Sequence, residues 1–238
     1  MNRRVLITGA DRGLGRALAA EYLKFGDIVF AGQYMAEWGE LGALKEEYPE
    51  RLFLVPLDVG NTKSVENACN EISKHTDYLD VIVNNAGISG VAGDIYKLED
   101  LEKGKAIFNV NVIGCMRMMN FFLPFLQREE SEKRLCFVSS EAGSISVCHR
   151  DDGFVYPMSK AALNMTVKML FNKLNPEGYV FRLFHPGWVR SYMSGEKNED
   201  GTFEPEESAV SAYQYFTSKQ TNENILKLVD NEGRTWPF

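Results

Sequence analysis

Tyr156 and Lys160 stand four residues apart in the run Tyr156-Pro157-Met158-Ser159-Lys160. On a helix that spacing puts a phenol and an ammonium on one face. A phenol ionises near pH 10, whereas an acid–base catalyst at neutrality needs a pKa of about 7. The gap corresponds to about 4 kcal/mol, and a neighbouring cation supplies part of it by favouring the phenolate. Taken alone, the pair reads better as a surface contact on an amphipathic helix than as a catalytic one. It is not alone. Polar groups recur directly after short apolar runs: Thr8-Gly9 after Val5 to Ile7, Asp58 after Leu52 to Val55, Asn84-Asn85 after Val81 to Val83, Ser139-Ser140 after Leu135 to Val138, and His185-Pro186-Gly187 after Val180 to Phe184.

Elements that position these groups follow from the pattern. Each apolar run has the length of a buried strand. After the first, glycines recur at 9, 13 and 15 before helical periodicity begins at Leu14 and Leu18. Gly9 permits a tight turn, Gly13 lets backbone approach a pyrophosphate, and Gly15 lets helix pack on strand, with the helix N-terminus facing the anion. A strand, a glycine turn and a helix start at this place point to a dinucleotide site. Further along, Ile28 to Gly32 reads as a second strand, Ala36 to Tyr48 as a helix, and a third helix opens near Asn61 or Thr62. A long apolar helix is expected over Lys105 to Gln127, bent near Pro124, with another from about Val155 to Leu174, one from Pro205 to Phe216, and a last strand at Ile225 to Val229. Strands alternating with helices make βαβ units on a parallel sheet. The expectation is a single α/β domain over residues 1–238: a doubly wound, Rossmann-type, mostly parallel seven-stranded sheet with helices on both faces. Ligands of such a sheet bind outside the carboxyl ends of the strands.

Composition narrows the partners. The chain has 238 residues and a formal net charge of −7, which speaks against nucleic acid or an anionic membrane surface as a partner. Met1-Asn2-Arg3-Arg4 leads straight into a strand, so no signal peptide is expected, and the apolar stretch near Met116 to Leu126 is interrupted by Arg117 and Asn120. The four cysteines, 69, 115, 136 and 148, lack metal-ligand spacing, so reduced thiols, no metal and a cytoplasmic setting are expected.

Taken together, Thr8-Gly9-x-x-x-Gly13-x-Gly15, Asn84-Asn85-Ala86-Gly87, Asn111, Ser139-Ser140, Tyr156-x-x-x-Lys160 and Pro186-Gly187 closely resemble the short-chain dehydrogenase/reductase family over essentially the whole chain. The stretches from Ser139 to Ile145 and from His185 to Arg190 resemble its C-factor-like carbonyl reductase branch. The resemblance implies roles. Tyr156 would exchange a proton with the substrate oxygen. Lys160 would lower the Tyr156 pKa, together with a cationic nicotinamide, and hold the nicotinamide ribose. A serine after the fifth strand would stabilise the carbonyl oxygen as it gains charge. Asn111 would hold a water linking Lys160 to solvent. Gly9, Gly13 and Leu14 would cradle the pyrophosphate, Asp58 and Val59 flank the adenine, Asn85, Ala86 and Gly87 support the adenosine ribose and the sheet, and Pro186, Gly187, Val189 and Ser191 line the nicotinamide.

Ser140 is preferred over Ser139 for the oxyanion role, although it precedes Tyr156 by an unusually long sixteen residues. Pro157 is tolerable only in the first turn of its helix. The second strand ends at Gln33 without a carboxylate, and Arg12 lies in the glycine turn, so NADP is expected to be preferred over NAD. The alternative for Arg12 is a contact with Asp11 or solvent. Substrate walls are expected from Ile88 to Tyr96, Val147 to Phe154 and Trp188 to Glu204. Arg150 either clamps a substrate carboxylate or pairs with Asp151 and Asp152 in a solvated loop, and His185 is expected to pack at a strand end. The all-round apolar helix, including Ile107, Val112, Met116 and Phe122, suggests a homodimer or homotetramer. Two functions result: an NAD(P)(H)-dependent oxidoreductase interconverting a carbonyl and an alcohol, or a dinucleotide-binding regulatory protein with little turnover.

Overall fold

The structure is a computed structural model and describes residues 2–90, 95–97, 101–129, 131–193 and 197–238. Parts of two expected substrate walls, 91–94 and 194–196, lie outside the described residues. Seven strands run parallel: β1 (Arg4–Ile7), β2 (Ile28–Gln33), β3 (Leu52–Pro56), β4 (Val81–Asn84), β5 (Arg134–Val138), β6 (Val180–His185) and β7 (Leu228–Asp230). The order across the sheet is β3-β2-β1-β4-β5-β6-β7-β8, so the winding reverses between β1 and β4. That reversal opens a crevice at the carboxyl ends of the strands, where the polar groups had been expected.

The eighth strand, β8 (Thr235–Trp236), is a correction to the expected seven. It returns antiparallel on β7 through a turn with Gly233 at φ +83°. Asp230 stabilises that turn by accepting from the backbone N–H of Glu232 and Arg234 and from the Trp236 indole. A two-residue strand is too short to show periodicity.

Alternation along β1 builds both faces of the domain. Leu6 packs with α3 (Thr62–Ile72), α5 (Cys115–Leu126) and α6 (Val155–Leu174), whereas Val5 and Ile7 pack with α1 (Gly13–Lys24), α2 (Glu40–Glu47) and α7 (Pro205–Thr217). The Asn61 side chain caps α3 by accepting from the N–H groups of Lys63 and Ser64. Helix α2 starts later than Ala36, because residues 35–38 form a turn closed by Trp38 N–H to Met35 O.

The long helix is also corrected. It runs as α4 (Leu101–Phe108), a π-helical stretch at Asn109–Gly114, and α5. Its irregularity thus lies at Asn109 to Gly114, ahead of Pro124, which sits within α5. The span Glu102–Leu126 is apolar and long enough to cross a membrane by length and composition. Here Met118, Met119, Phe122 and Leu126 lie buried against the sheet.

Candidate active site

A cleft of about 1260 Å³ opens at the carboxyl ends of the strands, with the glycine turn at one end and Ser140, Tyr156 and His185 at the other. Gly9 and Gly13 adopt left-handed backbone, φ +62° and +54°. A methyl on Gly15 would stand 2.0 Å from Gly9 O, so only glycine lets α1 approach the turn. Asn85 pins the turn: its amide donates to Thr8 O and Gly9 O, and Thr8 Oγ1 accepts from the N–H groups of Asn85 and Ala86. Helix α1 begins at Gly13 without a side-chain cap, leaving N–H groups and the positive dipole end directed at the cleft. Across from it, a methyl on Gly13 would approach only Ser191, at 3.6 Å. This uncapped, methyl-free cradle fits a pyrophosphate, and the cleft has room for a dinucleotide with a small molecule beside it.

Of the residues expected to hold the dinucleotide, Gly9, Arg12, Gly13, Leu14, Asp58, Val59, Asn85, Ala86, Gly87, Pro186, Gly187, Val189 and Ser191 all line this cleft. Gln33 does not and is a correction. Strand β2 extends through Gln33, which pairs with Pro56 and accepts from Leu57 N–H at 2.8 Å, so Tyr34 and Met35 reach the cleft in its place. Arg12 meets neither Asp11 nor bulk solvent alone. Its guanidinium lies 4.5 Å from the Trp38 ring centroid and 5.1 Å from that of Tyr192, and it donates to Tyr192 O at 3.2 Å. Asp11 instead accepts from Met35 N–H at 2.7 Å.

At the other end, α6 starts at Val155, so Tyr156 and Pro157 fall in its first turn, where a missing N–H costs no helical bond. Lys160 lies one turn on, nearly fully buried, with Nζ 5.7 Å from the Tyr156 ring centroid and donating to Val138 O at 3.0 Å. Burial pushes the ammonium down to about 8. The expected lowering of the Tyr156 pKa is absent from the protein itself. The ring is partly exposed along the cleft, but its hydroxyl end lies deep, and burial pushes the phenol up to about 12 against the pull of the Ser140 hydrogen bond.

The two serines separate as strand alternation requires. Ser139 Oγ donates to Asn164 Oδ1 at 2.6 Å in the interior. Ser140 interacts with the Tyr156 phenol, donates to Glu141 Oε2 at 2.6 Å and accepts from Ala142 N–H at 3.1 Å. Asn111 sits in the π-helical stretch, its carboxamide bonded to both backbone groups of Ile88 and to Ser159 Oγ. Asn111 Oδ1 and Lys160 Nζ flank Gly87, where a methyl would stand 3.4 and 3.7 Å from them.

Glu141 was missed in the sequence. It shares the cleft with Tyr156 and Ser140. Arg150 pairs with Glu141 Oε1 at 2.5 Å, and not with Asp151 or Asp152. His185 stacks edge-on against Trp236 at a strand end, as expected, but its Nε2 also comes within 3.5 Å of Glu141 Oε2. Burial would raise the Glu141 carboxyl, yet the Ser140 bond and the Arg150 pair outweigh it and hold it below its usual range. The only hint in the sequence is the position of Glu141 beside Ser140. Trp38, Tyr34 and Met35 were missed too, because the end of a strand depends on its partner's register.

Comparison with known proteins gives the same picture. Residues 3–202 match the model of the short chain dehydrogenase family. An uncharacterised oxidoreductase of Schizosaccharomyces pombe is 30% identical over 234 residues, covering 97% of this chain and 91% of that protein. C-signal of Myxococcus xanthus is 39% identical over 123 residues, 50% of this chain and 71% of the relative. Among solved structures, the NADPH-bound carbonyl reductase from chicken fatty liver superposes with a TM-score of 0.86 at 26% identity, over 100% of this chain and 99% of that one.

Proposed function

The chain belongs to the short-chain dehydrogenase family and is an NAD(P)-dependent oxidoreductase, and we propose that it interconverts an aldehyde or ketone with its alcohol, with NADP(H) as the preferred cofactor. One observation carries this reading. The Tyr156 phenol, the Ser140 hydroxyl and the Lys160 ammonium converge at one end of a cleft whose other end is an uncapped helix start.

The cleft residues from Gly9 to Ser191 would hold a reduced nicotinamide dinucleotide, which would supply the hydride that the carbonyl carbon takes up. The residues of the chain manage the oxygen. Burial keeps the Tyr156 phenol protonated, so it can give its proton to the carbonyl oxygen as negative charge develops there. A hydrogen bond from Ser140 to the same oxygen stabilises that charge. The Lys160 ammonium, fixed by Val138 O, lies over the ring and favours the phenolate left behind. Asn111 holds the Ile88 loop and, through Ser159, the first turn of α6; Ser159 Oγ donates to Tyr156 O at 2.7 Å. Arg12 would meet the adenosine phosphate, and the aromatic rings on either side limit where its guanidinium can point.

The regulatory alternative draws no support from this site, since Tyr156, Lys160, Ser140 and Asn111 are all in place. The exposed side chains of Ile113, Met116, Met165 and Met169 fit a homodimer or homotetramer built on this helical face, which light scattering measures directly. The functional test is oxidation of NADPH, then NADH, against a panel of aldehydes, ketones and quinones. Tyr156→Phe should bind the dinucleotide nearly as well but lose a factor on the order of 10² or more in turnover. Near-wild-type turnover in that variant refutes the assignment.

A further inference from the structure

A serine hydroxyl has one proton to donate. In this protein Ser140 gives its proton to Glu141 Oε2 at 2.6 Å, and an ionised carboxylate can only accept. The reading above asks the same proton to reach the substrate's carbonyl oxygen. Turning Ser140 toward the substrate deprives Glu141 Oε2 of a charge-assisted bond, a loss of about 10- to 100-fold in affinity or rate. Glu141 cannot follow the serine. Arg150 holds Oε1 at 2.5 Å, and His185 stands 3.5 Å from Oε2.

A substrate with its own donor beside the carbonyl removes the conflict. We propose that Glu141 determines specificity and that the substrate is an α-hydroxy carbonyl compound, whose hydroxyl donates to Glu141 Oε2 while Ser140 turns its proton to the carbonyl oxygen. Oxygens on adjacent carbons of such a group are spaced like a hydrogen-bonded pair, as Ser140 Oγ and Glu141 Oε2 are. Ser140 then donates one hydrogen bond, and Glu141 Oε2 receives one from a neutral hydroxyl, with substrate as without it. Arg150 neutralises Glu141, so the site selects a neutral hydroxyl and has no excess negative charge to attract an ammonium. Glu141, Arg150, His185 and Tyr156 line one continuous cleft, which gives such a substrate access to both groups. This inference rests on the carbonyl reductase reading.

The test compares 2-hydroxyacetophenone with 2-methoxyacetophenone. The methoxy compound keeps the electron-withdrawing oxygen but has no proton to donate. With NADPH, the wild-type protein should favour the hydroxy ketone at least 10-fold in kcat/KM, and Glu141→Ala should bring the ratio close to one. Glu141→Gln, which keeps the shape and a neutral acceptor, should fall between them and serves if the alanine variant does not fold. An equal wild-type ratio, or one that Glu141→Ala and Glu141→Gln leave unchanged, overturns the proposal. Binding of both ketones to the protein–NADPH complex, followed by cofactor fluorescence, separates the two levels of the argument. If neither these ketones nor the wider panel of aldehydes, ketones and quinones is turned over, the reductase reading fails, while tighter binding of the hydroxy ketone that Glu141→Ala abolishes still upholds the subsite. Equal binding, or none, overturns it.

Discussion

Lys160→Met should make the nucleotide-free protein more stable than wild type at pH 7 and less stable at pH 10. Lys160 is nearly fully buried, and burial brings its pKa from the ordinary 10.5 to about 8. A folded pKa below the unfolded one means that the unfolded chain binds the extra proton between those values, so wild-type stability rises with pH across that window. Keeping the buried ammonium charged costs about 3 kcal/mol at pH 7, a penalty that falls below about 1 kcal/mol by pH 10. Methionine removes the penalty but leaves Val138 O without its donor, a loss of about 1–2 kcal/mol that does not depend on pH. The stability difference between variant and wild type should therefore shift by about 2 kcal/mol or more over this range and change sign within it. Urea denaturation of both proteins at pH 7, 8, 9 and 10 measures the shift, because groups that titrate identically in the two proteins cancel. A difference that stays constant with pH would show that Lys160 is not destabilised by burial. The reasoning would then fail, and with it the view that the site holds its ammonium ready at a cost to the fold.

Other substitutions test the remaining roles. Ser140→Ala should lower kcat by about 10- to 100-fold with little change in Tm, whereas Ser139→Ala, which strands Asn164 Oδ1, should lower stability by about 1–3 kcal/mol with the smaller kinetic effect; a larger rate loss at 139 reverses the assignment. Arg12→Ala should reduce the NADPH-over-NADH ratio of specificity constants by about tenfold or more, and an unchanged ratio shows that the guanidinium does not read the phosphate. Glu223→Gln should destabilise the fold by about 1–3 kcal/mol, because Arg182 is fully buried on a bidentate bond to a carboxylate that is itself 32% exposed. Burial raises the Glu223 carboxyl, but the Arg182 bond outweighs it and lowers the pKa, so this stabilisation is present above the usual carboxylate range and fades as pH falls through the folded value. Denaturation of wild type and Glu223→Gln should therefore converge in acid, and a gap that persists there counts against the pair.

The sequence by itself determined the seven parallel strands, the glycine turn and the Tyr156–Lys160 pair, because each is written in local spacing. Apolar runs of strand length end where polar residues begin, four residues make a helical turn, and Gly9, Gly13 and Gly15 answer steric demands within one βα unit. Even Pro157 could be placed in a first turn from its neighbours alone. What only the tertiary structure decided are the relations between distant parts. Strand β2 reaches Gln33 because Pro56 pairs with it, and that register brings Tyr34 to the cleft. Arg12 finds Trp38 and Tyr192, the latter 180 positions away, across the mouth of the crevice. Arg150 chose Glu141 over the adjacent aspartates, which turned an apparently solvated loop into part of the site. The sign of the Tyr156 shift belongs here as well. A nearby ammonium could be read from spacing, but burial depends on every element packed around the hydroxyl, and burial is the larger effect. Local periodicity survives in a one-dimensional string, whereas desolvation and the choice of a charge's partner arise only when the order of strands in the sheet has set which surfaces meet.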